Sequence, residues 1–428
     1  MEKILKVAIA GLGSRGRTAY GRIASQMPER IQITAIADTD PEKLKKGREE
    51  FGVPAERCFS SAEQLLEQEQ LADALFLCTM DRQHYPQAIS ALQKGYHLLL
   101  EKPISVTPEE CIAIAETAKQ TARSVVVCHV LRYTPFYQTL KQLLDSGSIG
   151  ELVSIQASEQ VGYWHQAHSF VRGNWRNSDL SSCMILQKCC HDMDIFLWLS
   201  GKSCRYVSSY GSLRLFRKEN APEGSALRCL DGCRVKDSCP FDAERFYLTN
   251  GVCKGKTDWP VNVLCVDPDE ASVRKALQTG PYGRCVYHCD NNVVDHQVVN
   301  LELEDGVCVN FTMCAFTEKN CREIRLMGTH GEIYGNMEEN RIRIQKFGKE
   351  PEEIHLSLSG DDFGHGGGDY HLVEDFVDFL LGKQNKNLTS IERSVESHSV
   401  CFAAEYSRLH HGESVCLKEF VNRKNQEP

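Results

Sequence analysis

The chain has 428 residues, of which 25% are charged and 42% hydrophobic. That length suits two or three domains, and that balance excludes a disordered, collagen-like or coiled-coil architecture. A net charge of −9 argues against a broad nucleic-acid or membrane-surface role, and no apolar run reaches the ~18–20 residues of a membrane helix.

The first segment lacks a signal-peptide core and runs straight into Gly11, so a cytoplasmic, reducing location is expected. Continuous apolar runs at 5–10, 31–37, 72–78, 97–100 and 125–130 read as strands buried on both faces. Helical patterns fall between them at 18–26, 41–51, 61–67, 85–94 and 108–120. Strand alternating with helix predicts a doubly wound parallel α/β domain, a Rossmann fold, over residues 1–130. Residues 131–428 read differently. Helices are expected at 135–144, 184–199, 370–381 and 390–408, and strands at 151–161, 298–304, 307–315, 323–328, 332–334 and 341–347. They predict an α+β domain with a large, mainly antiparallel open sheet. Residues 217–290 are rich in Cys, Pro, Gly and charge, and read as an irregular insertion.

Gly11-Leu-Gly13-Ser14-Arg15-Gly16 follows the first strand and opens a helix, the context the dinucleotide fingerprint requires. Gly11 permits the tight turn, Gly13 admits the pyrophosphate, and Gly16 lets helix and strand pack closely. Ser14 and Arg15 lie in the same phosphate-facing loop. Asp38 ends the second strand 22 residues beyond Gly16, close to the usual ~20. A carboxylate there accepts ribose hydroxyls and repels a 2′-phosphate, which favours NAD over NADP. Arg15 is the opposing feature, because a guanidinium nearby could hold that phosphate.

Glu101-Lys102-Pro103 follows the 97–100 strand, at the edge where doubly wound folds bind ligands. With the glycine fingerprint, the Thr79-Met-Asp-Arg-Gln-His84 segment and the helix around His191, it makes the chain resemble the Gfo/Idh/MocA oxidoreductases. The resemblance spans most of the chain. It implies that Thr79, His84 and Glu101 contact the cofactor. It further implies that Lys102 touches both the nicotinamide region and the reacting hydroxyl, and that His191 transfers the proton. An imidazole titrates near neutrality, which suits that task. Gln187 stands where family members commonly carry an aspartate, so it cannot tune His191 by charge. Lys188 or Asp194 could supply part of that function.

Tyr163, His165, His168, Arg172, Trp175 and Arg176 form a segment dense in aromatic and hydrogen-bonding groups, which suits a polyhydroxylated ring. Gln187 and Lys188 join them as expected substrate contacts. The expected activity is oxidation of a secondary hydroxyl of a sugar, glycoside or polyol by NAD. A redox glycoside hydrolase is the alternative, with Lys188, His165 or His168 as its second acid/base. A non-catalytic sensor that kept the fold is a third. The resemblance also implies a homodimer or homotetramer.

The chain has 20 cysteines. In a reducing compartment they are core residues, metal ligands or reactive thiols. Cys78, Cys111, Cys128 and Cys308 sit in apolar runs and are expected in the core. Cys229, Cys233, Cys239 and Cys285 are candidate ligands of a structural zinc or iron–sulfur cluster. A set of free buried thiols is the competing reading.

Overall fold

The computed structural model describes residues 4–357, 364–385 and 388–424. Strands β1 (Leu5–Ala10), β2 (Ile31–Ala37), β3 (Cys58–Phe59), β4 (Ala74–Leu77), β5 (His97–Leu100) and β6 (Val125–Val127) form a parallel sheet in the order β3-β2-β1-β4-β5-β6. The strand order reverses between β1 and β4, so a ligand crevice opens there, at the carboxyl ends of the strands. Val7, Ala8, Ile9 and Ala10 are fully buried, as helices on both faces require.

Helix α1 begins as a wide π-helical stretch, Ser14–Gly21, and continues as Arg22–Ser25. Helices α2 (Pro41–Phe51), α3 (Ala62–Glu67), α4 (Asp81–Gln93) and α5 (Pro108–Gln120) follow in turn. Their starts are set by local chemistry. The Asp40 carboxylate accepts from Glu42 N, Ser61 caps α3 and Thr107 caps α5, while Pro41 and Pro108 fill first positions that lack a hydrogen-bond partner anyway.

The second sheet has nine strands. They are β7 (Leu152–Gly162), β8 (Cys204–Ser212), β9 (His296–Leu303), β10 (Cys308–Thr317), β11 (Cys321–Gly328), β12 (Gly331–Asn336), β13 (Arg341–Lys346), β14 (Glu352–His355) and β15 (Val415–Cys416). Pairing is antiparallel except between β7 and β10. Its inner face carries Val207, Val299, Leu301 and Phe311, which pack on α9 (Cys190–Ser200) and α12 (Ile391–Leu409). Helix α6 (Pro135–Asp145) covers the same face, with Phe136 and Leu140 in that core.

The C-terminal helices cross the division expected at residue 130. Leu372, Val373 and Phe376 of α11 (Gly368–Leu380) share a core with Val7 and Ile9, and Ile391 packs with Leu100 and Val125. Val127 N donates to Thr389 O at 2.9 Å.

Some expectations are corrected. The expected 184–199 helix is two, α8 (Met184–Gln187) and α9, broken at Lys188 and Cys189. Strand β8 escaped the sequence because Ser209 takes a buried position where an apolar residue was sought. Cys308 is exposed. It begins β10, whose alternation turns Val309, Phe311 and Met313 inward and Cys308 outward. Among the described residues no helix is long and apolar enough to cross a membrane.

Candidate active site

The turn after β1 closes tightly. Gly11 has φ +88°, and a Cβ there would lie 2.4 Å from the Cys78 carbonyl oxygen. A Cβ at Gly16 would meet Gly11 O at 1.9 Å, whereas one at Gly13 would meet nothing within 4 Å. The loop is therefore packed from behind and open at Gly13, as a pyrophosphate site requires. The Asp38 carboxylate accepts Leu12 N at 2.6 Å and Asp40 N at 2.8 Å, which fixes it at the end of β2. These features fit a dinucleotide.

Arg15 leaves this loop in the opposite direction from Asp38. Its Nε donates to Glu101 at 2.7 Å, and its guanidinium pairs with Asp369 at 2.6 Å. Tyr20 OH also donates to Glu101, at 2.6 Å. Burial is the largest influence and pushes both carboxyls up, but the Arg15 charge, joined by Lys102 at Glu101 and by His365 at Asp369 and by the hydrogen bonds each accepts, holds them below the ordinary carboxylate range. Glu101 follows β5, on the opposite side of β1 from β2 and Asp38. The guanidinium is thus engaged by these two carboxylates. Asp369, in the first turn of α11, thus serves as an ion-pair partner of Arg15.

Lys102 follows Glu101, and Pro103 follows Lys102 through a cis peptide bond. The two ring nitrogens of His84 lie 2.8 Å from Pro103 O and 3.1 Å from Thr79 O, so His84 ties two loops of the crevice together. Thr79 Oγ1 donates to Gln87 at 2.6 Å. Lys102 Nζ reaches across to the second domain and donates to the Gln187 carbonyl oxygen at 2.9 Å. That carbonyl lies where α8 stops and α9 has not begun. The lysine thus occupies an acceptor that an unbroken helix would use internally.

His191 lies in the first turn of α9 and is only 6% exposed. Its Nδ1 is buried without a hydrogen-bond partner, as are both ring nitrogens of the neighbouring His129. Burial, then the nearby Lys102 ammonium, holds His191 well below its ordinary value. It is therefore neutral at neutral pH and able to accept a proton. Because the shift is downward, the basic form persists as pH falls. The acid limb of kcat/KM, which reports the free enzyme, is expected below the ordinary histidine value of ~6.5. A steady-state pH profile checks this, and a limb above that value contradicts it.

Neither charged candidate near His191 replaces the missing aspartate directly. Asp194 is held by Arg132 through two 2.6 Å hydrogen bonds, and Lys188 pairs with Glu159 at 3.1 Å. Glu159 and Asp192 also bind Arg322. Gln187 accepts Ser182 Oγ through its side chain at 3.2 Å.

The aromatic segment is helical, α7, as Tyr163–His165 and then Gln166–Arg172. His165 Nδ1 lies 3.1 Å from Asn320 Oδ1, and the ring packs edge-on to Trp259 of the insertion. Tyr163 packs edge-on to Phe241. His168 is bonded to Tyr247 at 2.6 Å and stacked on Tyr282. Arg172 donates to Arg284 O and Phe241 O, both at 2.7 Å, and Arg176 pairs with Asp290 at 2.7 Å. Trp175 packs on Phe170. The structure thus engages His168, Arg172 and Arg176 with the insertion, and holds His165 nearer the Lys188–Arg322 charges, which act on it.

The sequence did not single out Tyr20, His129, Glu159 or Arg322. His129 had a usable signal, since it follows the last parallel strand much as Lys102 follows β5. Glu159 and Arg322 lie within strands and carry no motif. The four candidate metal ligands, Cys229, Cys233, Cys239 and Cys285, line one small cavity of about 10 Å³. Among the described residues, no three His, Cys, Asp or Glu side chains are already drawn together to hold a metal ion.

Two family models cover the chain. The oxidoreductase-family NAD-binding Rossmann fold matches residues 5–129, and the C-terminal alpha/beta domain of the same family matches 141–407. The oxidoreductase YteT of Bacillus subtilis is 23% identical over 88% of this chain and 89% of its own. An inositol 2-dehydrogenase of Corynebacterium glutamicum is 26% identical over 47% of this chain, which spans 56% of that enzyme. In fold, the chain is similar to the scyllo-inositol dehydrogenase of Lactobacillus casei solved with NAD(H) and scyllo-inositol. The TM-score is 0.67 at 19% identity, covering 97% of this chain and 100% of that one. Glycine loop, Glu-Lys-Pro turn and His191 helix thus occur in a chain matched from residue 5 to 407, and the protein belongs to the Gfo/Idh/MocA family of NAD-binding oxidoreductases.

Proposed function

We propose that the protein oxidises a secondary hydroxyl of a polyol or sugar with NAD, using His191 as base and Lys102 to steady the oxygen. The observation that carries the reading is the meeting of Lys102 with the α8–α9 break beside the partnerless Nδ1 of His191. Bound NAD supplies the acceptor for the hydrogen and electron pair leaving the carbon. Gly11, Gly13 and Gly16, with Ser14 at the helix start, would hold its pyrophosphate, and Asp38 its adenosine ribose. Glu101 and Thr79 lie towards the nicotinamide half.

The neutral His191 takes the hydroxyl proton. The Lys102 ammonium stabilises the negative charge that grows on that oxygen, in a site from which burial keeps bulk water. Tyr163, His165 and Lys188 are the groups best placed to read further hydroxyls. Supporting this substrate class are the relatives named for inositol oxidation. Self-association through the outer sheet face, where Tyr206, Tyr210 and Phe316 are exposed, accompanies this reading, as does a reducing cytoplasm.

The test is incubation with NAD against inositols, aldoses, other polyols and aryl glycosides, reading reduced nicotinamide and released aglycone together. Reduced nicotinamide without aglycone is expected. Aglycone release without net reduction would replace this reading with the redox glycoside hydrolase, and silence in both channels would favour a sensor. Cofactor choice gives a further prediction. Asp38→Ala removes a charge-assisted contact of about 1.5–3 kcal/mol, so NAD should bind about tenfold or more weakly and its preference over NADP should narrow. Titration calorimetry with both cofactors checks it, and unchanged affinities would contradict the assignment.

A further inference from the structure

His129 stands two residues beyond β6, is fully buried, and takes no part in the reaction proposed above. Its ring lies edge-on to His191 of α9, 5.7 Å away between centroids, and to His398 of α12 at 5.4 Å. Neither of its nitrogens has a hydrogen-bond partner, and neither has Nδ1 of His191. A buried polar group left unpaired costs about 1–3 kcal/mol, so unpaired nitrogens on two adjacent rings point to a task.

The surroundings narrow that task. His398 is committed, because its Nε2 accepts Ile104 N at 2.9 Å and its Nδ1 donates to Ser394 O at 2.8 Å. Asp194 Oδ1 lies 3.8 Å from His129 Nε2 and is itself held by Arg132. Its negative charge draws the His129 hydrogen to Nε2 and leaves a lone pair on Nδ1. Burial, then the Arg132 and Lys102 charges, holds His129 well below the ordinary histidine value, so it is a neutral acceptor.

Nδ1 of His191 is the nitrogen shut away from the cleft, so a substrate proton must arrive at Nε2. The resting hydrogen then has to sit on Nδ1, where it needs an acceptor. The Gln187 side chain is engaged by Ser182, and Asp192 by Arg322. His365, the other ring against His191, is partly exposed and bound through its Nδ1 to Asp369.

We infer that His129 is the positioning residue of His191, accepting the hydrogen on Nδ1 and so fixing the tautomer whose Nε2 is free to take the substrate proton. The inference rests on the reading of His191 as the base. The Nδ1 hydrogen is not transferred, and the proton from the hydroxyl goes to Nε2. Asp194 acts through His129, in the way the carboxylate of a triad acts on its histidine directly. The two rings share no hydrogen bond in the resting protein, as is common before substrate draws such groups together.

The full chain with NAD bound, its histidine rings labelled with heavy nitrogen, reports the tautomer by magnetic resonance at neutral pH. The His191 signals are those missing from His191→Asn. The hydrogen is expected on Nδ1 in the parent. In His129→Phe, a ring without nitrogens, it should move towards Nε2. There kcat should fall by about 10²-fold with KM little changed, less than the ~10⁴-fold lost with a directly bonded carboxylate. His129→Asn, whose amide oxygen can accept, should keep the Nδ1 hydrogen and restore part of the rate. Lys275→Ala, on the exposed side of α10 (Glu270–Thr279) in the insertion, should change neither. NAD affinity reports that each variant has folded. A parent His191 protonated on Nε2, or a folded His129→Phe with the tautomer and kcat of the parent, overturns the inference. If His191→Asn keeps its rate, the base reading falls instead, and the tautomer comparison still tests the contact between the two rings.

Discussion

Lys102→Ala is expected to lower kcat/KM for the hydroxyl substrate by about 10²–10³-fold, the usual effect of removing one group that stabilises charge on a reacting oxygen. NAD affinity should change little, because Asp38 and the glycine loop are untouched. The one hydrogen bond lost in the resting protein is that to Gln187 O, worth about 1 kcal/mol, too little to unfold the chain. Lys102→Arg should not restore the rate. The guanidinium is planar and broader than the ammonium, and Nζ fits a single carbonyl at the α8–α9 break. Steady-state kinetics beside calorimetric NAD binding separates these effects. Near-full turnover in Lys102→Ala would refute the role.

The second large effect belongs to His191. His191→Asn keeps a polar side chain of similar size but no base, and kcat/KM should fall by about 10²–10⁴-fold. A purely structural role would lower the rate without altering its pH dependence. A base predicts more, namely that the acid limb of the profile disappears with the imidazole. The downward push on His191 comes from burial and then from Lys102. In Lys102→Ala the residual activity should therefore show its acid limb at higher pH than the parent. Limbs that coincide in the two proteins would argue against contact between these groups.

The parallel sheet was legible because local and global signals agree there. Buried parallel strands are continuous apolar runs, and the helix starts carry their own caps. The 31–37, 41–51, 97–100 and 108–120 elements are found at those residues. What was hidden depends on partners distant in sequence. Nothing near Arg15 announces Asp369, 354 residues away. The helix break at Lys188 reflects a lysine 85 residues earlier that holds the Gln187 carbonyl. The aromatic segment was recognisable as a group, yet His168, Arg172 and Arg176 turn to the insertion, whose fold has little periodicity to read. The cysteines were visible in the sequence as a group, and four of them line one small cavity.

In the proposed reaction hydrogen leaves a carbinol carbon directly for NAD under the guidance of His191 and Lys102. The most direct measurement uses a polyol substrate deuterated at the carbinol carbon, with mass spectrometry of the recovered cofactor. Reduced cofactor carrying the deuterium, in step with ketone formation, is the predicted result. Cofactor recovered oxidised and unlabelled, while a glycoside is cleaved and the label stays on the sugar, would contradict it.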